Sequence, residues 1–120
     1  MKIKLHHLNL CSKDVAGMEA PYRSVLDLEP ESSLNSARDT TQGYAAPVAF
    51  VTDGQTQVHL ATKDHGVAFR TDDIAAFKRR LEANNIPYSD YGQWAMNGWH
   101  QIFFYDPEGN VIEVHQDMNA

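Results

Sequence analysis

Leu8-Asn9-Leu10-Cys11-Ser12-Lys13-Asp14-Val15 and Val67-Ala68-Phe69-Arg70-Thr71-Asp72-Asp73-Ile74 decide how this chain is built. The two stretches register at an offset of 67 minus 8, or 59 residues. Each reads as the end of an apolar strand, a polar cluster able to cap a helix, and the first apolar residue of that helix. Their identity is weak, but the same succession at corresponding places points to an internal repeat.

Outward from the first copy, Lys2 to Leu10 reads as a strand, and Val15, Met18, Tyr22, Val25 and Leu26 form the apolar stripe of a helix on a sheet. Pro21 has no N–H and is at ease only in a first turn, which predicts a helix start near Gly17 or Met18. Strand-like stretches follow at 29–35, 44–51 and 56–61, the last two joined by Thr52-Asp53-Gly54, a hairpin signal. Outward from the second copy, Gly66 to Arg70 is a short strand. Asp72 or Asp73 caps a helix with the stripe Ile74, Phe77 and Leu81, and Asn84-Asn85 end it. Three more strands fall near Tyr88 to Tyr91, Trp99 to Tyr105 and Val111 to Gln116, with Asp106-Pro107-Glu108-Gly109 turning the final hairpin. Each half is β-α-β-β-β, so the expected class is α+β. The expected organisation is a single domain over 1–120, made of two pseudo-repeats at about 1–62 and 63–120.

The size agrees, since 120 residues with 42% hydrophobic and 22% charged side chains suit one globular domain and exclude two. The longest apolar stretch, Ala45 to Val51, contains Pro47 and is too short to span a bilayer. Met1-Lys2-Ile3-Lys4-Leu5 lacks the apolar core of a secretory signal, which predicts a cytoplasmic protein. A lone cysteine, Cys11, excludes an intrachain disulfide and a thiolate metal cluster. Sixteen acids against ten bases give a net charge of −6, with no run of Lys and Arg. That balance speaks against nucleic acid or an anionic membrane and leaves a small molecule as the expected partner. The chain has no phosphate-binding glycine loop, nucleotide fingerprint or His-Glu-x-x-His motif.

Strand residues alternate between the helix side and the open side of a sheet, so a polar residue flanked by aliphatics faces the open side. His7, His59 between Val58 and Leu60, and Glu113 between Ile112 and Val114 show this pattern. Two imidazoles and a carboxylate on separate strands match the set that holds a divalent metal with positions left open. The plainer account is polar residues on a wet face, but His59 and Glu113 hold corresponding last strands, 113 minus 59, or 54, apart. The fourth symmetric position falls on Gly66, which has no side chain. His65 is adjacent but faces the helix side unless a bulge shifts the register, which a glycine permits. Arg70 shares the open face with Gly66 and Ala68 and reads as a solvated charge or as a partner for a substrate carboxylate or phosphate. Trp94, Met96 and Trp99 read as packing residues, His100 and His115 as surface histidines, and His6 as a structural histidine on the helix side beside Leu8. Cys11 reads as a small buried hydrophobe.

Leu5-His6-His7-Leu8-Asn9-Leu10, the helix Met18 to Leu28, Ala68-Phe69-Arg70-Thr71-Asp72-Asp73-Ile74, and above all Tyr105-Asp106-Pro107-Glu108-Gly109-Asn110-Val111-Ile112-Glu113-Val114 together resemble the vicinal oxygen chelate superfamily. That group includes glyoxalase I, extradiol dioxygenases, methylmalonyl-CoA epimerases and bleomycin-resistance proteins. The resemblance spans essentially the whole chain. It implies two βαβββ modules forming a cupped mixed sheet with helices on the outer face. It also implies one divalent metal ion (Fe, Mn, Ni, Co or Zn) held by His7, His59 and Glu113, with His65 a displaced match for the histidine usually found where Gly66 stands. The activity implied is a lyase, isomerase or dioxygenase acting on neighbouring substrate oxygens, with Glu113 also a proton carrier, for which its pKa must be raised toward neutrality. The alternative is a metal-free, drug-sequestering protein of the bleomycin-resistance type, which Gly66 favours. The resemblance further implies a homodimer. Leu60 and Val67 are separated by six residues reaching at most roughly 20 Å, a limit that domain swapping would relieve.

Overall fold

The computed structural model describes residues 1–31, 48–62, 66–96 and 98–120. Among them the chain forms β1 (Ile3–Cys11), α1 (Val15–Ser24), β2 (Glu29–Pro30), β3 (Val48–Thr52) and β4 (Gln57–Ala61), then β5 (Val67–Thr71), α2 (Ile74–Ala83), β6 (Ser89–Gly92), β7 (Trp99–Tyr105) and β8 (Val111–Asp117). The fold is α+β, with one mixed sheet ordered β2-β3-β4-β1-β5-β8-β7-β6. Each half places its first strand at the centre, parallel to its own last strand, and the two first strands meet antiparallel. No helix among the described residues is long and apolar enough to cross a membrane.

The helix caps expected from sequence form. Asp14 and Asp73 accept from the amides of Gly17 and Ala76 at 3.0 and 2.9 Å, satisfying donors that a helix start leaves open. The Asp14 cap sets the start of α1 at Val15, earlier than the expected Gly17 or Met18, and Pro21 lies inside the helix. Pro21 and Gly17 are both exposed, so the Gly17 carbonyl that Pro21 cannot serve is within reach of water. Val15, Met18 and Tyr22 pack on Leu10, Ala49, Val58 and Leu60. The last two members of the expected stripe, Val25 and Leu26, are exposed, because the helix stops at Ser24 and Asp27 turns the chain with φ 58°. The second stripe holds in full, with Ile74, Phe77 and Leu81 buried against Ile102 and Val114, and Asn85 leaves the helix with φ 57°.

Of the strand expected at 29–35, Glu29–Pro30 is observed, and of the strand expected at 44–51 the described part is Val48–Thr52; residues 32–47 lie outside the described residues. The junction between the halves closes within one chain. The registers Cys11↔Ala61 and Leu8↔Val67 put the end of β4 and the start of β5 near the same end of β1, on its two sides. Two strand spacings, about 10 Å, separate them, inside the reach of the connecting residues. Length therefore imposes no swap.

Both helices cover one face of the sheet, α1 over β3 and β4 and α2 over β8. The opposite face of the central strands carries the polar residues.

Candidate metal centre

The ladder between β1 and β5 pairs Leu5 with Phe69 and His7 with Ala68, passing over His6. Such a bulge puts two successive side chains on one face. His6 therefore joins His7 on the open side, with their Nδ1 atoms 2.7 Å apart, and does not face the helices as alternation predicts. No glycine marks this register shift in β1, and His65, for which a bulge at Gly66 was the condition, lies outside the described residues.

The open face gathers a buried polar group. His7, His59, Glu113 and His115 are 1%, 5%, 3% and 0% exposed. The ligand atoms of His7, Glu113 and His115 lie within 4.8 Å of one another. His7 Nε2 stands 3.8 Å from Glu113 Oε1, and His115 Nδ1 stands 2.8 Å from Glu113 Oε2. Arg70 donates from Nε to His115 Nε2 at 3.1 Å. A guanidinium only donates, so His115 Nε2 accepts and its proton sits on Nδ1, donated to Glu113. His59 stacks on His7 at 3.6 Å between ring centroids, with Nε2 2.7 Å from Gln57 Oε1, and it is not one of the three residues grouped within 4.8 Å.

The structure thus brings His7 and Glu113 together as expected and sets His59 against His7. His115, expected at the surface, is fully buried because β8 lies inside the sheet between β5 and β7. His115 shares the parity of Glu113, which was the available signal; nothing in the sequence fixed its burial. Gln101, opposite His115 in the β7–β8 ladder, is also buried and helps hold the Glu113 carboxylate ionised. Its signal was the parity it shares with Trp99 on β7.

His65 lies outside the described residues. Gly66 has φ +65°, and a Cβ there would fall on the Val111 carbonyl, so glycine is what the backbone requires. Cys11, at the last position of β1, is exposed, contrary to expectation, with its Sγ 3.4 Å from the Thr62 carbonyl oxygen. His100 pairs with Asp90 at 2.7 Å, beside Lys78 of α2, in a separate network.

Trp99 covers the group. Its ring stacks on His115 at 4.1 Å between centroids and 4° between planes, Arg70 lies 5.1 Å from its centroid, and it packs with Val48, Phe50, Ala61 and Met96. Trp94, expected to pack, is exposed. Trp99→Ala removes the cover and leaves a void, so a loss of about 3–5 kcal/mol is expected in urea unfolding; a loss below about 1 kcal/mol would show that the stack carries little stability.

Burial is the largest cause of lowered basicity at both His6 and His7. Arg70 adds to it at His6, whose pKa falls to about 3, while Glu113 opposes it at His7, which still falls well below its ordinary value. At Glu113 burial disfavours the carboxylate most, but the hydrogen bond from His115 and the nearby His7 outweigh it and hold the pKa below normal. The folded state therefore takes up protons less readily than the unfolded chain. The histidine contribution to stability is full above about pH 6.5 and falls progressively below it. The urea midpoint is expected to drop between pH 7.5 and pH 5; a flat profile would contradict these environments.

The Glyoxalase/Bleomycin resistance protein/Dioxygenase superfamily model matches residues 4–114. No curated protein matches the chain. Among solved structures, a hypothetical protein from Bacillus halodurans C-125 is 14% identical with TM-score 0.72, covering 97% of this chain and 95% of its own. A glyoxalase/bleomycin resistance protein/dioxygenase superfamily member from Vibrio splendidus 12B01 is 19% identical with TM-score 0.60, covering 97% and 99%. Methylmalonyl-CoA epimerase from Mycobacterium tuberculosis is 18% identical with TM-score 0.62, covering 93% and 86%. At these identities the likeness is one of fold. The family match over most of the length, on a sheet of paired β-α-β-β-β halves, places the chain in the Glyoxalase/Bleomycin resistance protein/Dioxygenase superfamily.

Proposed function

We propose that this chain is a metal-dependent enzyme that acts on a small oxygenated substrate through neighbouring oxygens, as a lyase, isomerase or dioxygenase. The observation that carries this reading is the pair His7 Nε2 and Glu113 Oε1, 3.8 Å apart and buried. When His7 donates from Nδ1 to His6, two buried acceptors face one another, an arrangement that favours a cation between them. The orphaned, buried Oε1 of Gln101 nearby adds to the fit. Imidazole and carboxylate donors suit Fe, Mn, Ni, Co or Zn.

His7 and Glu113 are the proposed first ligands, with His59 beside His7, while His115, whose two nitrogens are engaged by Arg70 and Glu113, holds the carboxylate in place. A bound divalent metal would stabilise negative charge developing on the substrate oxygens. The chain's own residues hold the rest of the site. His6 fixes which nitrogen of His7 faces Glu113, and the series Arg70, His115, Glu113 orients the carboxylate. Glu113 with a lowered pKa is a better ligand than proton carrier, since a general base works best with a pKa near the working pH. Arg70, at the partly exposed end of this series, is the proposed anchor for a substrate carboxylate or phosphate. Ile3, Leu5 and Leu8 are exposed on β1, which supports a homodimer.

A specific observation favours a second reading, a metal-free protein that sequesters a small molecule: Gly66 offers no ligand and its backbone admits none. Metal content per chain separates the two. About one bound equivalent of a first-row metal supports the enzyme; none after incubation with each cation supports sequestration.

A further inference from the structure

We propose that Gln101 supplies the contact to the metal that Gly66 cannot, through its side-chain oxygen. The inference rests on the metal-dependent reading above and concerns a residue on β7, outside the four strands expected to carry ligands.

Gln101 lies opposite His115, and the next pair on the same face is Phe103 with Glu113. It is 4% exposed. The side chain helps hold the Glu113 carboxylate ionised, an effect of its amide nitrogen rather than of its oxygen. That leaves Oε1 buried, with no hydrogen-bond partner among the described residues. An orphaned buried acceptor costs about 1–3 kcal/mol, which a sheet-facing position would shed by carrying an apolar residue. A neutral amide oxygen is also a competent donor to a divalent cation alongside imidazole and carboxylate. The second half of the repeat therefore contributes Glu113 from its last strand and Gln101 from the strand beside it, while Gly66 closes against Val111.

The test is Co(II) titration of the full chain, followed by visible absorption and by thermal unfolding with and without Co(II), for wild type, Gln101→Met and Gln101→Glu. Gln101→Met removes the oxygen and is expected to weaken Co(II) binding at least about tenfold while folding as stably as wild type without metal. Gln101→Glu keeps an oxygen but loses the amide nitrogen, and is expected to bind Co(II) more tightly than Gln101→Met. Gln101→Met binding Co(II) within about twofold of wild type would overturn the proposal, because second contacts of this kind are worth more than that. Equal weakening in the two variants would also overturn it, since the amide would then act only by holding Glu113 through its N–H. Wild type that binds no Co(II) would overturn the metal-dependent reading itself, a result distinct from either variant outcome.

Discussion

Glu113→Ala is expected to carry no stoichiometric metal under conditions in which the parent chain, purified without chelator or histidine tag, carries about one equivalent. Glu113 is the hub of the buried group. It faces His7 Nε2, accepts from His115 Nδ1 and is held ionised in part by Gln101. Its removal takes away the negative charge that would hold a cation and leaves the donor on His115 without its acceptor. Hydrogen bonds to a charged group are worth about 1.5–3 kcal/mol, so a stability loss of at least about 2 kcal/mol is expected alongside the loss of metal. Plasma mass spectrometry and urea unfolding on the same preparation check both. Full metal occupancy in this variant would remove Glu113 from the site.

Gly66→Ala is expected to be among the most destabilising single substitutions in the chain, although the residue carries no side chain to lose. The left-handed conformation at φ +65° costs a residue with a Cβ about 1–2 kcal/mol. Beyond that, the Cβ would meet the Val111 carbonyl, which is backbone and can yield only by shifting the start of β8. The Gly66 carbonyl also accepts from the Asn9 backbone amide at 2.9 Å and from Asn9 Nδ2 at 3.3 Å, so a shift there would disturb the seam between the halves. A loss of about 3 kcal/mol or more in urea unfolding is expected, a magnitude that strain and overpacking together produce. Gly66→His, which would install a ligand at the symmetric position, is expected to fail for the same reason. Stability of Gly66→Ala within about 0.5 kcal/mol of the parent, the range of an ordinary surface change, would contradict this account.

The architecture was legible because its signals are local. Asp14 and Asp73 stand where helices start, the stripe of α2 repeats at helical spacing, and the turn Asp106 to Gly109 falls between two alternating strands. Those features depend on a few neighbouring residues, and each formed. The common facing of His7, His59 and Glu113 was legible because alternation holds at those positions. The site was misread where alternation fails or where burial depends on the partner strand. The bulge in β1 brings His6 to the open face with no local mark, since no glycine or proline stands there. His115 and Gln101 have the right parity, but only the sheet order, with β8 enclosed between β5 and β7, makes them buried. The end of α1 was overextended because the apolar spacing continues through Val25 and Leu26 after the backbone has turned at Asp27. Gly66 was read as a missing ligand with room for a bulge. Its contact with Val111 is a long-range fact that no spacing reveals.

The most direct test of the central claim is the metal content of the unmodified chain, determined after purification without chelator and again after incubation with Fe, Mn, Ni, Co and Zn in turn followed by desalting. The account predicts about one equivalent of at least one of these metals per chain, retained through desalting as a buried site of imidazole and carboxylate donors would retain it. No retained metal under any of these conditions would contradict it, and would leave His7, Glu113 and His115 as a buried hydrogen-bonded network in a metal-free binding protein.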